Sequence, residues 1–317
     1  MLKTIALTVA ICTYNGEKRL PEVFARLEQQ IGWESFRWEI LVVDNNSSDR
    51  TAELIRAYQT NWSVCSLRYC FEPRQGLAYA RQRALSEAKG KYIGFLDDDN
   101  LPDSRWVQTA FTFGEAHPHA GAYGSRINAD FAVKPPEGFE QFISFLGAKD
   151  RGEKAFIYEP RQRILPPGAG LVVRQQAWRE NVPQELFLKG RVGKSQLASE
   201  DLEALAYIQN GGWEIWHNPE MQIIHKIPEN RLEPDYLLAI ARGIGLARYH
   251  IRMIRLPIWQ RPLFFPLYTL NDLRKFLYLS FKYYCIQKNL ATACEKEFVL
   301  NSLVSPFYLW KQSYTRK

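Results

Sequence analysis

Through its first hundred residues the chain alternates short apolar runs with longer amphipathic stretches. Residues 7–12, 39–43, 66–71 and 92–96 are short enough for strands, and residues 16–30, 48–59 and 77–89 repeat apolar positions at helical spacing. Strand and helix in alternation predict a mostly parallel sheet with crossover helices, an α/β fold. Ser47, Ser48 and Asp49 supply capping chemistry ahead of the second helix. Beyond residue 101 the alternation loosens. A helix is expected over 104–116, then a loop-rich stretch through Pro135, Pro136 and Gly138. Residues 165–170, LPPGAG, read as a turn feeding a strand over 171–174. A helix over 199–209 opens on acidic residues, and 223–225 reads as a last short strand.

After Pro228 the pattern turns helical, with Leu273, Phe276, Leu277, Phe281 and Tyr284 at helical spacing. This sets a boundary between a domain of residues 1–230 and an extension of residues 231–317. No run of about eighteen apolar residues occurs, so no membrane span is predicted. The apolar N-terminal run breaks at Thr13, Tyr14 and Asn15, and reads as a buried first strand, not a signal peptide.

Charge changes the picture of the extension. The net charge of +7 is uneven: residues 231–317 hold fourteen Lys/Arg against five Asp/Glu, while residues 1–230 hold 27 against 29. The basic part also carries Trp259, Phe264, Phe265, Tyr268 and Trp310, a mixture suited to peripheral contact with an anionic membrane surface. A helical appendage packed on the first domain explains it equally. Five scattered cysteines without CxxC spacing argue against a disulfide framework or structural zinc, and fit a reducing, cytoplasmic setting, on the inner face of the plasma membrane if the extension docks there.

The candidate chemistry lies where strands end, since parallel α/β sheets bind ligands at the carboxyl ends of their strands. Thr13-Tyr14-Asn15 follows the first strand, Asp44-Asn45-Asn46-Ser47-Ser48-Asp49 the second, and Asp97-Asp98-Asp99 the fourth. Each alone is a solvated turn or a cap; their convergence on one crevice is informative. A sugar-nucleotide reaction accounts for the set, because a diphosphate leaving group must be neutralised. A hard cation, Mn2+ or Mg2+, suits a carboxylate such as Asp99 and keeps open positions for phosphate. Gly193-Lys194-Ser195 does not make a phosphate loop, because the first glycine would have to stand where Leu188 is. Lys194 is instead a candidate for a loop closing over the donor.

ICTYNG at 11–16, VVDNNSSDRT at 42–51 and GKYIGFLDDDN at 90–100 resemble, in order and spacing, the family 2 glycosyltransferases of GT-A fold. QGLAYARQRAL at 75–85, PPGAGLVVR at 166–174 and SEDLEAL at 199–205 extend the resemblance over roughly the first 230 residues. The resemblance implies a GT-A fold with a C-terminal helical extension, and an inverting transfer of a sugar from a nucleotide-diphosphate donor, UDP-linked by default. It implies that Thr13, Tyr14, Asn15 and Glu17 line the base and ribose pocket, that Asp44 faces the nucleobase, and that Asp98 contacts the ribose. Asp99 would bind the metal, Asp97 would complete the acidic motif, and Arg81 would lie near the donor. Of Glu200 and Asp201, one would accept the proton of the attacking hydroxyl, with Asp201 the choice here. Gly168 and Gly170 would let the backbone approach the sugar. His225 would stand near metal or diphosphate, with Arg231 on phosphate.

The resemblance further implies a glycan or lipid-linked acceptor, in bacterial exopolysaccharide or cell-surface glycan assembly of the kind found in hormogonium polysaccharide clusters. Two other classes of function are open. A nucleotide-sugar-binding module would need no Asp201. A nucleic-acid binder would use the basic extension, but convergent carboxylates would repel phosphate, so no nucleic-acid partner is expected.

Overall fold

A computed structural model describes residues 4–136, 138–162, 164–190, 197–286 and 289–315; Lys194 and its neighbours lie outside the described residues. β1 (Ile5–Thr13), α1 (Leu20–Glu28), β2 (Arg37–Asp44), α2 (Thr51–Asn61), β3 (Ser66–Phe71), α3 (Leu77–Glu87) and β4 (Tyr92–Asp97) alternate along the chain. β5 (Asn100–Pro102), α4 (Trp106–Ala116), β6 (Ala120–Phe131), β7 (Phe156–Ile157), β8 (Leu171–Arg174), α5 (Gln175–Asn181), α6 (Glu200–Asn210) and β9 (Glu214–Ile227) follow.

These strands form one sheet in the order β3-β2-β1-β4-β8-β6-β9-β5, with β7 on β9. β1, β2, β3, β4, β6 and β9 run in one sense, and β5, β7 and β8 run against them, so the sheet is mostly parallel. β1 is apolar along its length because both faces are covered. Leu7, Val9 and Ile11 pack on Leu20, Phe24 and Leu27 of α1, while Ala10 and Cys12 belong to the core that holds Ala80 and Ala84 of α3. Each large aliphatic or aromatic side chain so buried contributes about 1.5–3 kcal/mol.

Three element boundaries differ from the sequence reading. α1 begins at Leu20, not residue 16, because Gly16 N donates to Thr51 Oγ1 at 2.9 Å and Glu17 N to Asp49 Oδ2 at 3.2 Å, which holds this segment as a turn. α2 begins at Thr51, whose N–H and hydroxyl both donate to Asp49 Oδ1. The short strand expected at 223–225 is the end of β9, a strand of 14 residues. Its polar centre, His217-Asn218-Pro219-Glu220, breaks the alternation at the point where its register with β6 shifts between Ser125 and Arg126.

The C-terminal part folds as α7 (Pro234–Ile254), α8 (Arg261–Phe281) and α9 (Leu290–Thr315). α7 lies close along α9: a Cβ at Gly245 would stand 2.5 Å from the Phe298 carbonyl oxygen. Buried Asp272 of α8 accepts hydrogen bonds from Arg248 and Arg252 of α7, at 3.3 Å and 3.0 Å. No described helix is long and apolar enough to cross a membrane.

Candidate active site

Strand register brings the polar turns to one level. Cys12 of β1 is abreast of Asp97 in β4, and Thr13 is abreast of Asp44 in β2. After Asp97 the chain reverses into β5, where Asn100 pairs with His225 of β9. That pairing sets His225 Nε2 3.6 Å from Asp99 Oδ1, although the two residues are far apart in sequence. Arg231, in the turn after β9, places Nη1 2.8 Å from Asp99 Oδ2. Asp98 accepts from Thr13 Oγ1 at 2.5 Å and from Arg19 Nε and Nη2 at 2.8 Å each.

The opposite wall is the N-terminus of α6. Arg81 of α3 is buried and bridges the two walls: its Nη1 is 3.2 Å from Glu200 Oε1 and its Nη2 is 3.8 Å from Asp97 Oδ1. Asp201 Oδ2 accepts the Gly168 N–H at 2.7 Å, which ties the LPPGAG turn to the carboxylate. Residue 168 has to be glycine here, since a Cβ would stand 2.1 Å from Arg81 Nη2. Asn15, Asn46 and Ser199, all flanking the site, have φ of 51°, 64° and 83°, left-handed values that only the surrounding structure sustains in non-glycine residues.

Burial raises the Asp97 carboxyl above the usual carboxylate range, with Arg81 pulling the other way. Asp99 goes down: burial works against its charge, but the His225 hydrogen bond and the Arg231 guanidinium outweigh it. Arg81 stays charged because Glu200 and Asp97 outweigh its desolvation. Burial pushes the Cys12 thiol up to about 12, so this cysteine on the cavity wall is no nucleophile near neutrality.

These groups face one cavity of about 960 Å3, ample for a nucleotide sugar with its acceptor. Thr13, Tyr14, Arg81, Asp97, Asp98, Asp99, Gly168, Glu200, Asp201 and His225 form its wall. Asn15, Glu17 and Asp44, expected in the base and ribose pocket, do not line it: Asn15 Oδ1 accepts from Ser48 N, Glu17 Oε2 from Arg50 N, and Asp44 from Ser47 N and the Tyr69 hydroxyl. Gly170 has φ of +65° and lies below the wall, its carbonyl accepting from Ser125 Oγ at 2.6 Å. Asn45 of the turn after β2 lines the cavity as expected, and so do Arg19, Arg151 and Arg255, which nothing in the residue pattern singled out.

Among the described residues no group of three or more His, Cys, Asp or Glu is arranged to hold a metal ion. Asp99 and His225 nevertheless fit as two ligands. They adjoin at the cavity wall through His225 Nε2 and Asp99 Oδ1, with Arg231 Nη1 3.4 Å from the same ring nitrogen. A hard cation completes its shell with phosphate oxygens and water.

Residues 8–174 match the model of the family described as "Glycosyl transferase family 2". The chain is 22% identical over 236 residues to the glucosyl-dolichyl phosphate glucuronosyltransferase of Haloferax volcanii, covering 73% of this chain and 72% of that one. It is 24% identical over 241 residues to the succinoglycan biosynthesis protein ExoM of Rhizobium meliloti, covering 74% and 71%. Among solved structures, mannosyltransferase PcManGT of Pyrobaculum calidifontis, in complex with GDP-Man and Mn2+, superimposes with a TM-score of 0.59 at 16% identity, over 97% of this chain and 88% of that one. Residues 1–349 of S. aureus TarS in complex with UDP give a TM-score of 0.54 at 16% identity, over 98% and 92%. The solved relatives share the GT-A fold expected from the sequence, the family model spans more than half of the chain, and the chain belongs to glycosyl transferase family 2.

Proposed function

We propose that this glycosyltransferase moves a sugar from a nucleotide-diphosphate donor, UDP-linked by preference, to an acceptor hydroxyl with inversion at the anomeric carbon, aided by a divalent cation. The observation that carries the reading is a single cavity with Asp97, Asp98 and Asp99 on one wall, Asp201 on the other and Arg81 bridging Asp97 to Glu200. Asp201 is anchored by the Gly168 N–H and serves as the base. As the acceptor oxygen bonds to the anomeric carbon, its proton passes to the Asp201 carboxylate, and the bond to the diphosphate breaks on the opposite face. The diphosphate departs with the electron pair.

Asp99 and His225 would hold Mn2+ or Mg2+, which neutralises the charge that develops on the diphosphate. Arg231 lies beside them and supplies a second positive charge to the same group. Thr13, Tyr14 and Asp98 take the nucleoside side, and Gly168 and Gly170 leave room for the sugar. The acceptor belongs to polysaccharide or cell-surface glycan assembly. Support comes from the relatives named for succinoglycan and for glucosyl-dolichyl phosphate.

The C-terminal helices serve as a peripheral contact with the anionic inner face of a membrane. Ile258, Trp259, Leu263, Leu270 and Phe281 are strongly exposed, and Arg274, Lys275 and Lys282 stand among them. A non-catalytic sugar-nucleotide binder is the alternative, and Asp201→Asn separates the two. Loss of the base lowers kcat on the order of 10²–10⁴-fold while donor binding persists. Unchanged turnover in the variant would refute the role of Asp201.

A further inference from the structure

Each carboxylate of the acidic edge has its own arginine, and the three arginines are not held alike. Arg81 of α3 is 6% exposed and spans Glu200 and Asp97 in the interior. Arg19 is clamped on Asp98 by Nε and Nη2, each at 2.8 Å, and Nη2 also donates to the Tyr14 carbonyl at 3.0 Å. Arg231 is held more loosely. It stands on the single turn Glu229–Arg231 between β9 and α7, its side chain is 32% exposed, and its Nη1 forms an ion pair with Asp99 Oδ2 at 2.8 Å. The same nitrogen is 3.4 Å from His225 Nε2, which is itself 3.6 Å from Asp99 Oδ1. One guanidinium nitrogen thus lies against both side chains that would hold the cation.

A guanidinium and a divalent cation compete for this spot. Both need the Asp99 anion, and the Asp99 side chain is 8% exposed, which leaves little water to screen one positive charge from the other. Asp99 and His225 are two ligands, whereas a hard cation such as Mg2+ takes about six, so the others must come from phosphate and water. The diphosphate is also a group that an arginine fork matches, and Arg231 lines the cavity in which the donor is proposed to lie. The arginine can therefore pass from carboxylate to phosphate with its charge paired, while the cation takes Asp99.

We infer that Arg231 is a movable counter-charge for Asp99, which opposes entry of the cation until a nucleoside diphosphate draws the guanidinium away. Cation and nucleotide then bind with positive coupling, and Arg231 carries part of it in addition to the direct bond between cation and phosphate. The inference rests on the assignment of Asp99 and His225 as ligands of the cation. Arg19 supplies the contrast. It brings the same charge to the same edge but sits on Asp98, so it does not compete for Asp99.

The test measures Mn2+ binding to the full chain from the loss of the free-ion electron paramagnetic resonance signal, with and without saturating UDP, so that no turnover is needed. Wild type should bind Mn2+ weakly alone and on the order of tenfold or more tightly with UDP. In Arg231→Gln the affinity without nucleotide should rise on the order of tenfold, and the gain from UDP should shrink. Arg231→Lys, which keeps the charge but not the fork, should fall between. Arg19→Gln should stay within about twofold of wild type without nucleotide. Cooperative thermal unfolding reports that each variant is folded, and loss of binding in Asp99→Ala ties the signal to this site. Equal affinity in wild type and Arg231→Gln without nucleotide would overturn the inference and leave the proposed function standing. An equal rise in Arg19→Gln would do the same, because it reports only the overall charge of the edge. Mn2+ binding that persists in Asp99→Ala, or that is absent with UDP from wild type and variants alike, would sink the metal site of the proposed function and the inference with it.

Discussion

Arg81 is the residue whose removal should cost the fold most for its size. Its side chain is 6% exposed and Glu200 is 7% exposed, at 3.2 Å, so Arg81→Met removes a guanidinium from beside a buried carboxylate. Removing one partner of a buried pair costs about 3–5 kcal/mol. Asp97 adds less, because its Oδ1 lies 3.8 Å from Nη2, beyond hydrogen-bond reach. The lower end, about 3 kcal/mol, is therefore expected from urea midpoints and slopes. The double variant Arg81→Met/Glu200→Gln should recover more than half of that loss, because the buried charge is gone and methionine fills much of the same space. A loss below about 1 kcal/mol in the single variant would mean that water reaches Glu200 and that the pair is not buried as described. Failure of Glu200→Gln to recover stability would place the cost in packing against Gly168 instead.

Two further outcomes follow from other parts of the molecule. His217 is buried and pairs through Nε2 with the Gly152 carbonyl at 3.0 Å, so Nε2 carries the proton and Nδ1 is left without a partner among the described residues. Burial lowers its pKa, so the unfolded chain binds the proton first as pH falls, and stability drops below the unperturbed value of about 6.5. Thermal unfolding between neutrality and pH 5 should therefore fall less steeply in His217→Gln than in wild type, and an equal slope would contradict the assignment. In flotation with anionic vesicles, wild type should rise with the lipid, while Trp259→Asp/Leu263→Asp stays in the dense fraction; wild type remaining with the variant would remove the membrane contact.

Much of the fold was legible because burial on both faces makes strands such as β1 apolar but for Thr8 and the terminal Thr13, and the crossover helices between them keep their period. The second half was less so. β6 mixes Gly124, Ser125, Arg126 and Asn128 into its length, and β9 carries Pro219 at its register shift, so neither reads as alternation. The acidic edge was legible as three strand ends, and its relation to His225 only as family likeness, because the β5–β9 pairing that joins them is a contact of high sequence separation. Arg19 was missed because an arginine before a helix reads as a solvated charge, yet it makes two hydrogen bonds to Asp98. Arg255 was missed for the same reason: only the packing of α7 against α6 brings it to the cavity.

The central claim is that the acidic edge binds a nucleotide sugar through a metal held at Asp99. The most direct test is thermal stabilisation by UDP-, GDP- and dTDP-sugars, with and without Mn2+, in wild type and Asp99→Ala. A ligand at a hundred times its Kd adds about 2.7 kcal/mol, a readily measured shift. The account predicts stabilisation by a UDP-sugar that requires Mn2+ and disappears in Asp99→Ala. Stabilisation by no nucleotide, or equal stabilisation with a chelator present and in the variant, would contradict it.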